Sequence, residues 1–188
     1  MTEKVIMAGF GGQGMMLLGK LVAHAMMTEG KQVTFFPSYG SEVRGGTAHC
    51  HVIIAEDEIA SPVVEEADTL IVMNQPSYEK FKRVLKPGGL LLVNASMVKV
   101  DDAPKEAQVV RVPATEAANG LGNVLVANMV MMGAYNRLRR LMPTDRFLGI
   151  LERSMSGRKA ALLEINKRAL AAGEALAAEA SAQSKPVA

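Results

Sequence analysis

The sequence predicts an α/β protein, with a Rossmann-like, mostly parallel sheet, helices on both faces and a helical C-terminal third. Three observations predict this fold. Short β-branched and apolar runs alternate with segments of helical periodicity over the first two thirds of the chain. These runs are apolar along their length, as in strands that are buried on both faces. Beyond residue 113 the pattern is helical.

The first half of the predicted fold is a strand, a glycine turn, a helix and two further strands. Residues 4–8 (KVIMA) predict a buried strand that ends at a glycine. Apolar residues at helical spacing predict a helix over residues 15–29, which a glycine again ends. Residues 32–36 predict a second strand that Pro37 closes, and residues 47–55 predict a third.

The second half begins with a fourth strand over residues 69–73, after which Pro76 suits the first turn of a helix. A KPGG turn ends that helix. Two more strands are predicted over residues 90–93 and 109–112, and three helices over residues 122–141, 146–155 and 159–180. We therefore expect one α/β domain over residues 1–180 and a frayed tail over residues 181–188.

Composition excludes several classes of protein. The 21 basic and 19 acidic residues are mixed along the chain and aromatic residues are scarce, so a nucleic-acid surface has no support. The longest apolar stretch, residues 124–134, is too short to span a bilayer, and no signal peptide is evident. The single cysteine, Cys50, excludes an internal disulfide and a self-contained iron–sulfur cluster, and it fits a cytoplasmic protein.

A glycine loop follows the first predicted strand. Gly9, Gly11 and Gly14 match the pattern G-x-G-x-x-G between a strand and a helix, where free N–H groups and the helix dipole favour an anion. The same glycines also suit a tight turn without a ligand. A dinucleotide-binding protein would place an acidic residue at the end of the second strand, and none stands there. The prediction of an NAD site is weakened accordingly.

Two alternative functions stay open on these residues. The run VLKPGGLLLV over residues 84–93 is typical of methyltransferases that use S-adenosylmethionine, although the missing carboxylate and the helical C-terminal third count against them. A nucleotide-binding regulatory module is the second alternative. Retained S-adenosylmethionine would favour the first, and nucleotide binding without an oxidoreductase partner would favour the second.

Two segments together resemble the gamma subunit of the 2-oxoacid:ferredoxin oxidoreductases. The first is the loop AGFGGQG at residues 8–14, and the second is SYGSEVRGG at residues 38–46, which is similar to the Y-G-x-E-x-R-G-G loop of that family. The second segment is closer to the 2-oxoglutarate and branched-chain types than to the pyruvate type. The resemblance covers roughly the first 135 residues. It implies a loop that binds a ligand or a partner, with these members: Gly9, Gly11, Gly12, Gln13, Gly14, Tyr39, Gly40, Glu42, Arg44, Gly45 and Gly46.

The resemblance also implies a reaction. A 2-oxoacid is decarboxylated on thiamine diphosphate with Mg, electrons leave through [4Fe-4S] clusters to ferredoxin, and the acyl group passes to coenzyme A. The implied partners are the alpha subunit, the thiamine diphosphate-binding beta subunit and the ferredoxin-like delta subunit. This chain would be an architectural subunit, or one that assists coenzyme A or substrate handling, with no redox cofactor and no catalytic residue of its own. Alone it is expected to be inactive and able to form a homodimer.

The other candidate residues give weaker evidence of a function. His49 and His51 alternate with Cys50 on a predicted strand, so the three side chains cannot converge on one metal ion, and no metal site is predicted. Methionine clusters, including residues 129–132, and the apolar stripe of the last helix predict either core packing or a subunit interface.

Overall fold

The computed structural model describes residues 2–38, 47–154 and 162–183. The chain forms two compact units, Met1–Val93 with Met97–Val109 and Asn94–Ser96 with Val110–Ala188. The single domain expected over residues 1–180 stays a prediction.

Six strands in the described residues form one sheet in the order β2-β3-β1-β4-β5-β6. They are β1 (Glu3–Phe10), β2 (Gln32–Ser38), β3 (Thr47–Ala55), β4 (Ala67–Val72), β5 (Leu85–Asn94) and β6 (Gln108–Val112). β1 is parallel to β4, and β4 is parallel to β5, whereas β3 is antiparallel to both β1 and β2. Strands β1, β2, β4 and β5 therefore run in the same direction, and among these five strands only β3 runs in the opposite direction. This confirms the predicted α/β fold with a mostly parallel sheet.

Helix α1 (Met15–Thr28) covers one face of the first unit. It lies close to the sheet at Gly19, where an added Cβ would lie 2.5 Å from Cys50 Sγ and 2.8 Å from Phe35 Cε2. The Cys50 thiol donates to the Met15 carbonyl at 3.5 Å on the same face. A glycine at position 19 thus permits the close helix–sheet contact that this face requires.

Helix α2 (Gln75–Phe81) covers the opposite face, and a 3₁₀ turn over Lys82–Val84 follows it. Asn74 caps α2, because its side chain accepts from Ser77 N at 2.9 Å, and Pro76 stands in the first turn as predicted. A hydrophobic core of this unit lies here. Its buried members are Ile6, Ala8, Ile53, Val64, Ala67, Leu70, Val72, Tyr78, Phe81, Leu85, Leu91, Val93 and Val98.

Several strand ends differ from the predictions by one or two residues, and two boundaries differ at a proline or a glycine. β2 continues through Pro37 to Ser38, because it is the edge strand and the missing N–H of proline is tolerated there. β5 begins at Leu85 rather than at residue 90, since the KPGG segment belongs to the strand beside an irregularity in its pairing with β4. Both errors arise from treating proline and glycine as strict boundaries.

The described part of the second unit is mainly helical, and its strand residues are Asn94 at the end of β5 and residues 110–112 of β6. It contains α3 (Ala114–Gly120), a 3₁₀ turn over Val124–Val126, α4 (Ala127–Arg139), α5 (Thr144–Ser154) and α6 (Leu163–Gln183). α3 was missed from the sequence because it is only two turns long. α6 extends through Gln183, so the chain is still helical at residues 181–183, where a frayed tail was expected.

α4 and α6 cross at two glycines. A Cβ on Gly133 would lie 2.9 Å from the carbonyl carbon of Leu170, and one on Gly173 would lie 2.7 Å from that of Val130. Met129, Met131 and Met132 of α4 are buried, as are Ala169, Leu170 and Ala177 of α6. These methionines and the buried part of the α6 stripe thus fill the core of the unit rather than lie on an exposed face.

Among the residues that the structure describes, no helix is both long and apolar enough to span a membrane.

Candidate functional site

The glycine loop joins the carboxyl end of β1 to the first turn of α1. Gly12 and Gly14 have positive φ angles of 94° and 75°, and Gly14 is the residue that precedes α1. These two positions require glycine because other residues rarely adopt this backbone conformation. The first turn of α1 has neither a side-chain cap nor an acidic residue, so no carboxylate there offsets its positive dipole end.

Gln13 closes this loop on itself. Its Oε1 accepts from the Phe10 backbone N at 2.7 Å and from Asn74 Nδ2 at 3.0 Å. The Gln13 backbone N donates to the Phe10 carbonyl at 3.1 Å, and Nε2 lies 3.6 Å from Met97 Sδ. The amide oxygen therefore lies inside the turn, and the nitrogen points to its rim.

Contacts or backbone angles within the chain explain why three of the four positions in the loop require glycine, and the fourth position has no such explanation. Gly12 and Gly14 need their φ angles, and a Cβ on Gly9 would lie 2.8 Å from Gln13 Oε1 and 3.1 Å from Met73 Cβ. At Gly11 a Cβ would meet no described atom within 4 Å. The described part of the chain thus has room for a side chain at position 11.

Apolar side chains border the loop. Leu17, in the first turn of α1, is 50% exposed, and Met97, which contacts Gln13, is 44% exposed. Gly11 and Gly12 are exposed as well. The loop is thus accessible from solvent, with bare backbone at its tip.

The second predicted segment lies largely outside the described residues. Tyr39, Gly40, Glu42, Arg44, Gly45 and Gly46 all belong to that part. Its two ends are described: Ser38 is paired with His49, and Thr47 is paired with Phe10 at the end of β1. The segment therefore starts and ends at the edge of the sheet from which the glycine loop also emerges.

The histidines of β3 lie on the α2 face, opposite Cys50, as the alternation predicts. The rings of His49 and His51 are 5.6 Å apart, and His49 also lies 4.7 Å from the Phe81 ring. Burial, the Lys80 charge and His51 lower the pKa of His49 from 6.5 to about 4, and burial lowers the pKa of His51 too. His51 Nδ1 accepts from Val64 N at 2.9 Å. Both rings are therefore neutral near pH 7.

Cys50 is buried on the α1 face. Burial raises the pKa of its thiol from 9.0 to about 12, which outweighs the opposing hydrogen bond at Gly19. A thiol in this state is neither a ready nucleophile nor a ready metal ligand. Within the described ranges no group of three or more His, Cys, Asp or Glu side chains could hold a metal ion.

Sequence reasoning gave no role to Asn74 and did not single out Met97. An asparagine followed by Gln-Pro is a helix N-cap signal, and the structure has this cap. The second role of Asn74, its contact with Gln13, joins residues 61 positions apart and has no local signal.

Comparison with known proteins identifies the family. The model for the Pyruvate ferredoxin/flavodoxin oxidoreductase family matches residues 4–176. This chain belongs to that family. The family resemblance predicted from the glycine loop and the second segment is thereby confirmed.

Two relatives of this chain are named as subunits of an oxidoreductase and of a synthase. The chain is 34% identical over 177 residues to the ketoisovalerate oxidoreductase subunit VorA of Methanothermobacter thermautotrophicus, covering 94% of this chain and 36% of the relative. It is 33% identical over 148 residues to the 2-oxoglutarate synthase subunit KorC of Methanocaldococcus jannaschii, covering 77% and 79%. The chain thus spans about a third of the length of VorA and most of the length of KorC.

A solved structure of the family has the same fold over nearly its whole length. This is the gamma subunit of a keto/oxoacid ferredoxin oxidoreductase from Geobacter sulfurreducens. Its TM-score is 0.80 at 30% sequence identity, and the match covers 95% of this chain and 99% of that chain. These relatives give no support to the methyltransferase or to the regulatory module.

Proposed function

We propose that this chain is the gamma subunit of a 2-oxoacid:ferredoxin oxidoreductase, which converts a 2-oxoacid and coenzyme A to an acyl-CoA while reducing ferredoxin. The observation that carries the proposal is the match to a solved gamma subunit over 99% of that subunit. The substrate is 2-oxoglutarate or a branched-chain 2-oxoacid, in line with the names of KorC and VorA.

The redox cofactors of the proposed complex do not suit the residues of this chain. An iron–sulfur cluster needs several thiolates, and the one cysteine is buried under α1 with a raised pKa. We therefore assign the [4Fe-4S] clusters to partner chains. Thiamine diphosphate and Mg are assigned to partner chains because the family resemblance implies it, and no redox step is assigned to this chain.

The partners in this proposal are the alpha, beta and delta subunits of the same complex. The relative VorA is about three times as long as the matched region, so the chain corresponds to one part of a longer protein there. We infer that partner chains supply the remaining parts here. The chain alone would be inactive, would associate with itself when its partners are absent, and would work in the cytoplasm.

The glycine loop is the part of this chain that we assign to coenzyme A. Gly11 leaves room for close approach to the backbone, and the N-terminus of α1 favours a negative group. Coenzyme A carries phosphate groups, and the loop would bind and orient them. Gln13 shapes the loop from inside, and Arg44 of the second segment is a further candidate for the same anion.

Anaerobic purification of the tagged chain from its host tests the subunit assignment. We expect it to recover a thiamine diphosphate-binding chain and an iron–sulfur chain, with dye reduction that depends on both a 2-oxoacid and coenzyme A. Comparison of 2-oxoacids then identifies the substrate. Recovery of the chain without such partners would overturn the proposal.

Gly11→Ala tests the assignment of the loop. Because no described atom lies within 4 Å of the new methyl group, the chain should fold as before, while the KM for coenzyme A in the assembled complex should rise about tenfold. Gly120→Ala is the matched control, since its Cβ also meets no described atom within 4 Å. Failure of the complex to assemble would instead indicate that the loop packs against a partner.

A further inference from the structure

The glycine loop and the turn between β4 and α2 are tied together by two side-chain amides. Gln13 Oε1 accepts from the Phe10 backbone N at 2.7 Å and from Asn74 Nδ2 at 3.0 Å. The Asn74 Oδ1 accepts from Ser77 N at 2.9 Å, so the same side chain caps α2. One chain of hydrogen bonds thus runs from the end of β1 to the first turn of α2.

This bridge lies where the strand order reverses. β1 and β4 are adjacent and parallel, with Ala8 paired with Val72 and Met73 N donating to the Ala8 carbonyl at 3.0 Å. The chain leaves β1 toward β2 and β3 on one side, and it leaves β4 toward β5 on the other. Ligands of open α/β sheets bind at the carboxyl ends of the strands at such a reversal. The amide bridge therefore spans the crevice where a ligand is expected.

The space for the bridge depends on Gly9. A Cβ at this position would lie 2.8 Å from Gln13 Oε1 and 3.1 Å from Met15 Cγ. Asn74 is 1% exposed, so its Nδ2 has no access to bulk water in exchange for the Gln13 contact. Loss of the Gln13 oxygen would leave this buried donor and the Phe10 N–H to find other partners, which is costly.

We propose that Gln13 and Asn74 form a latch that positions the glycine loop for coenzyme A, so that both are positioning residues of the proposed reaction. The inference rests on the function proposed above. The latch holds the loop through its inner oxygen, which leaves the bare backbone of Gly11 and Gly12 facing outward. An ordered loop binds its ligand without first losing conformational entropy, so the latch acts on the affinity for coenzyme A rather than on the chemical step.

Three substitutions separate the latch from other roles. Gln13→Met keeps the length of the side chain and removes the acceptor, whereas Gln13→Glu keeps an acceptor for both donors. Asn74→Asp keeps the oxygen that caps α2 and replaces the donor that faces Gln13. Gln32→Met, at the exposed start of β2, is the matched control for the loss of a glutamine amide.

The first measurement is hydrogen exchange of the Phe10 amide in the full chain. We expect exchange about tenfold faster in Gln13→Met and Asn74→Asp, and wild-type protection in Gln13→Glu and in the control. The double variant Gln13→Met with Asn74→Asp should exchange no faster than Gln13→Met, because Gln13→Met already removes both hydrogen bonds of the Gln13 oxygen. Wild-type protection of Phe10 in both single variants would overturn the latch.

The second measurement is steady-state kinetics of the assembled oxidoreductase. Gln13→Met and Asn74→Asp should raise the KM for coenzyme A about tenfold and leave kcat and the KM for the 2-oxoacid within about twofold. An unchanged KM for coenzyme A, with Phe10 deprotected, would reject the positioning role while retaining the hydrogen bonds. An unchanged KM in Gly11→Ala as well would place the failure in the proposed function of the loop.

Discussion

The crossing of α4 and α6 leads to a sharp prediction about stability. Gly133→Ala would place a methyl carbon 2.9 Å from the carbonyl carbon of Leu170 and 3.1 Å from the backbone N of Glu174, with the Leu170 oxygen closer still. Carbon atoms normally approach to about 3.5–4.0 Å. Since the obstructing atoms belong to the backbone of α6, no side-chain rotation relieves the contact, and the helices must separate by roughly 1 Å.

Two unfavourable terms and one favourable term determine the change in the free energy of unfolding. Overpacking costs about 1–3 kcal/mol and sometimes more, and backbone against backbone belongs at the upper end. A gap of about 1 Å also forfeits up to half of the dispersion energy of the atoms that line the crossing. Alanine gains about 1 kcal/mol over glycine in a helix interior. The net expectation is a loss of about 2–4 kcal/mol in the free energy of unfolding.

Urea unfolding followed by circular dichroism measures this effect. Gly149→Ala in α5 is the matched control, because its Cβ would meet only Arg153 Nη1 at 3.6 Å among the described atoms, an ordinary contact. It should raise the free energy of unfolding by about 0.5–1 kcal/mol. Gly173→Ala should resemble Gly133→Ala, since its Cβ would lie 2.7 Å from the Val130 carbonyl carbon. Equal stability of Gly133→Ala and Gly149→Ala would refute the reasoning.

Two further predictions concern the opposite faces of β3. Because burial raises the pKa of the Cys50 thiol to about 12, Ellman's reagent should fail to modify the native chain at about pH 8. The same reagent should modify the thiol fully in denaturant. Rapid labelling of the native chain would contradict the buried position. The pKa of His49 is lowered from 6.5 to about 4, so the folded state binds its proton less readily than the unfolded state. Its contribution to stability is thus present above pH 6.5 and lost as the pH falls toward 4. His49→Phe, which removes the titration, should lose less stability over that pH range in urea unfolding, and a loss equal to wild type would reject this assignment.

Much of the fold follows from patterns within a few residues. Continuous apolar runs mark β1 and the second half of β3, and the spacing of α1 is helical. These three elements were therefore predicted within two residues at each end. Errors occurred where local signals compete with sheet position. Pro37 is tolerated because β2 lies at the edge, and the KPGG segment extends β5 because β4 offers it a partner.

The residues of the candidate site likewise divide into those that a local pattern predicts and those that only the folded structure places. Gly9, Gly12 and Gly14 were identified from their pattern, and the structure explains each by space or by a positive φ angle. The inward position of the Gln13 oxygen was not predictable, because it depends on Asn74 at the end of another strand. The binding roles assigned to the loop and to the segment that contains Glu42 and Arg44 stay predictions.

The sequence by itself determined the class of fold, the strand–glycine loop–helix unit and the family, because turns, helix starts and motifs depend on neighbouring residues. The tertiary structure decided the antiparallel direction of β3, the pairing of Gln13 with Asn74 and the contact of α4 with α6 at Gly133 and Gly173. Each of these joins segments that are distant along the chain. Their energies depend on distances and burial that exist only after the chain has folded, so no local pattern encodes them.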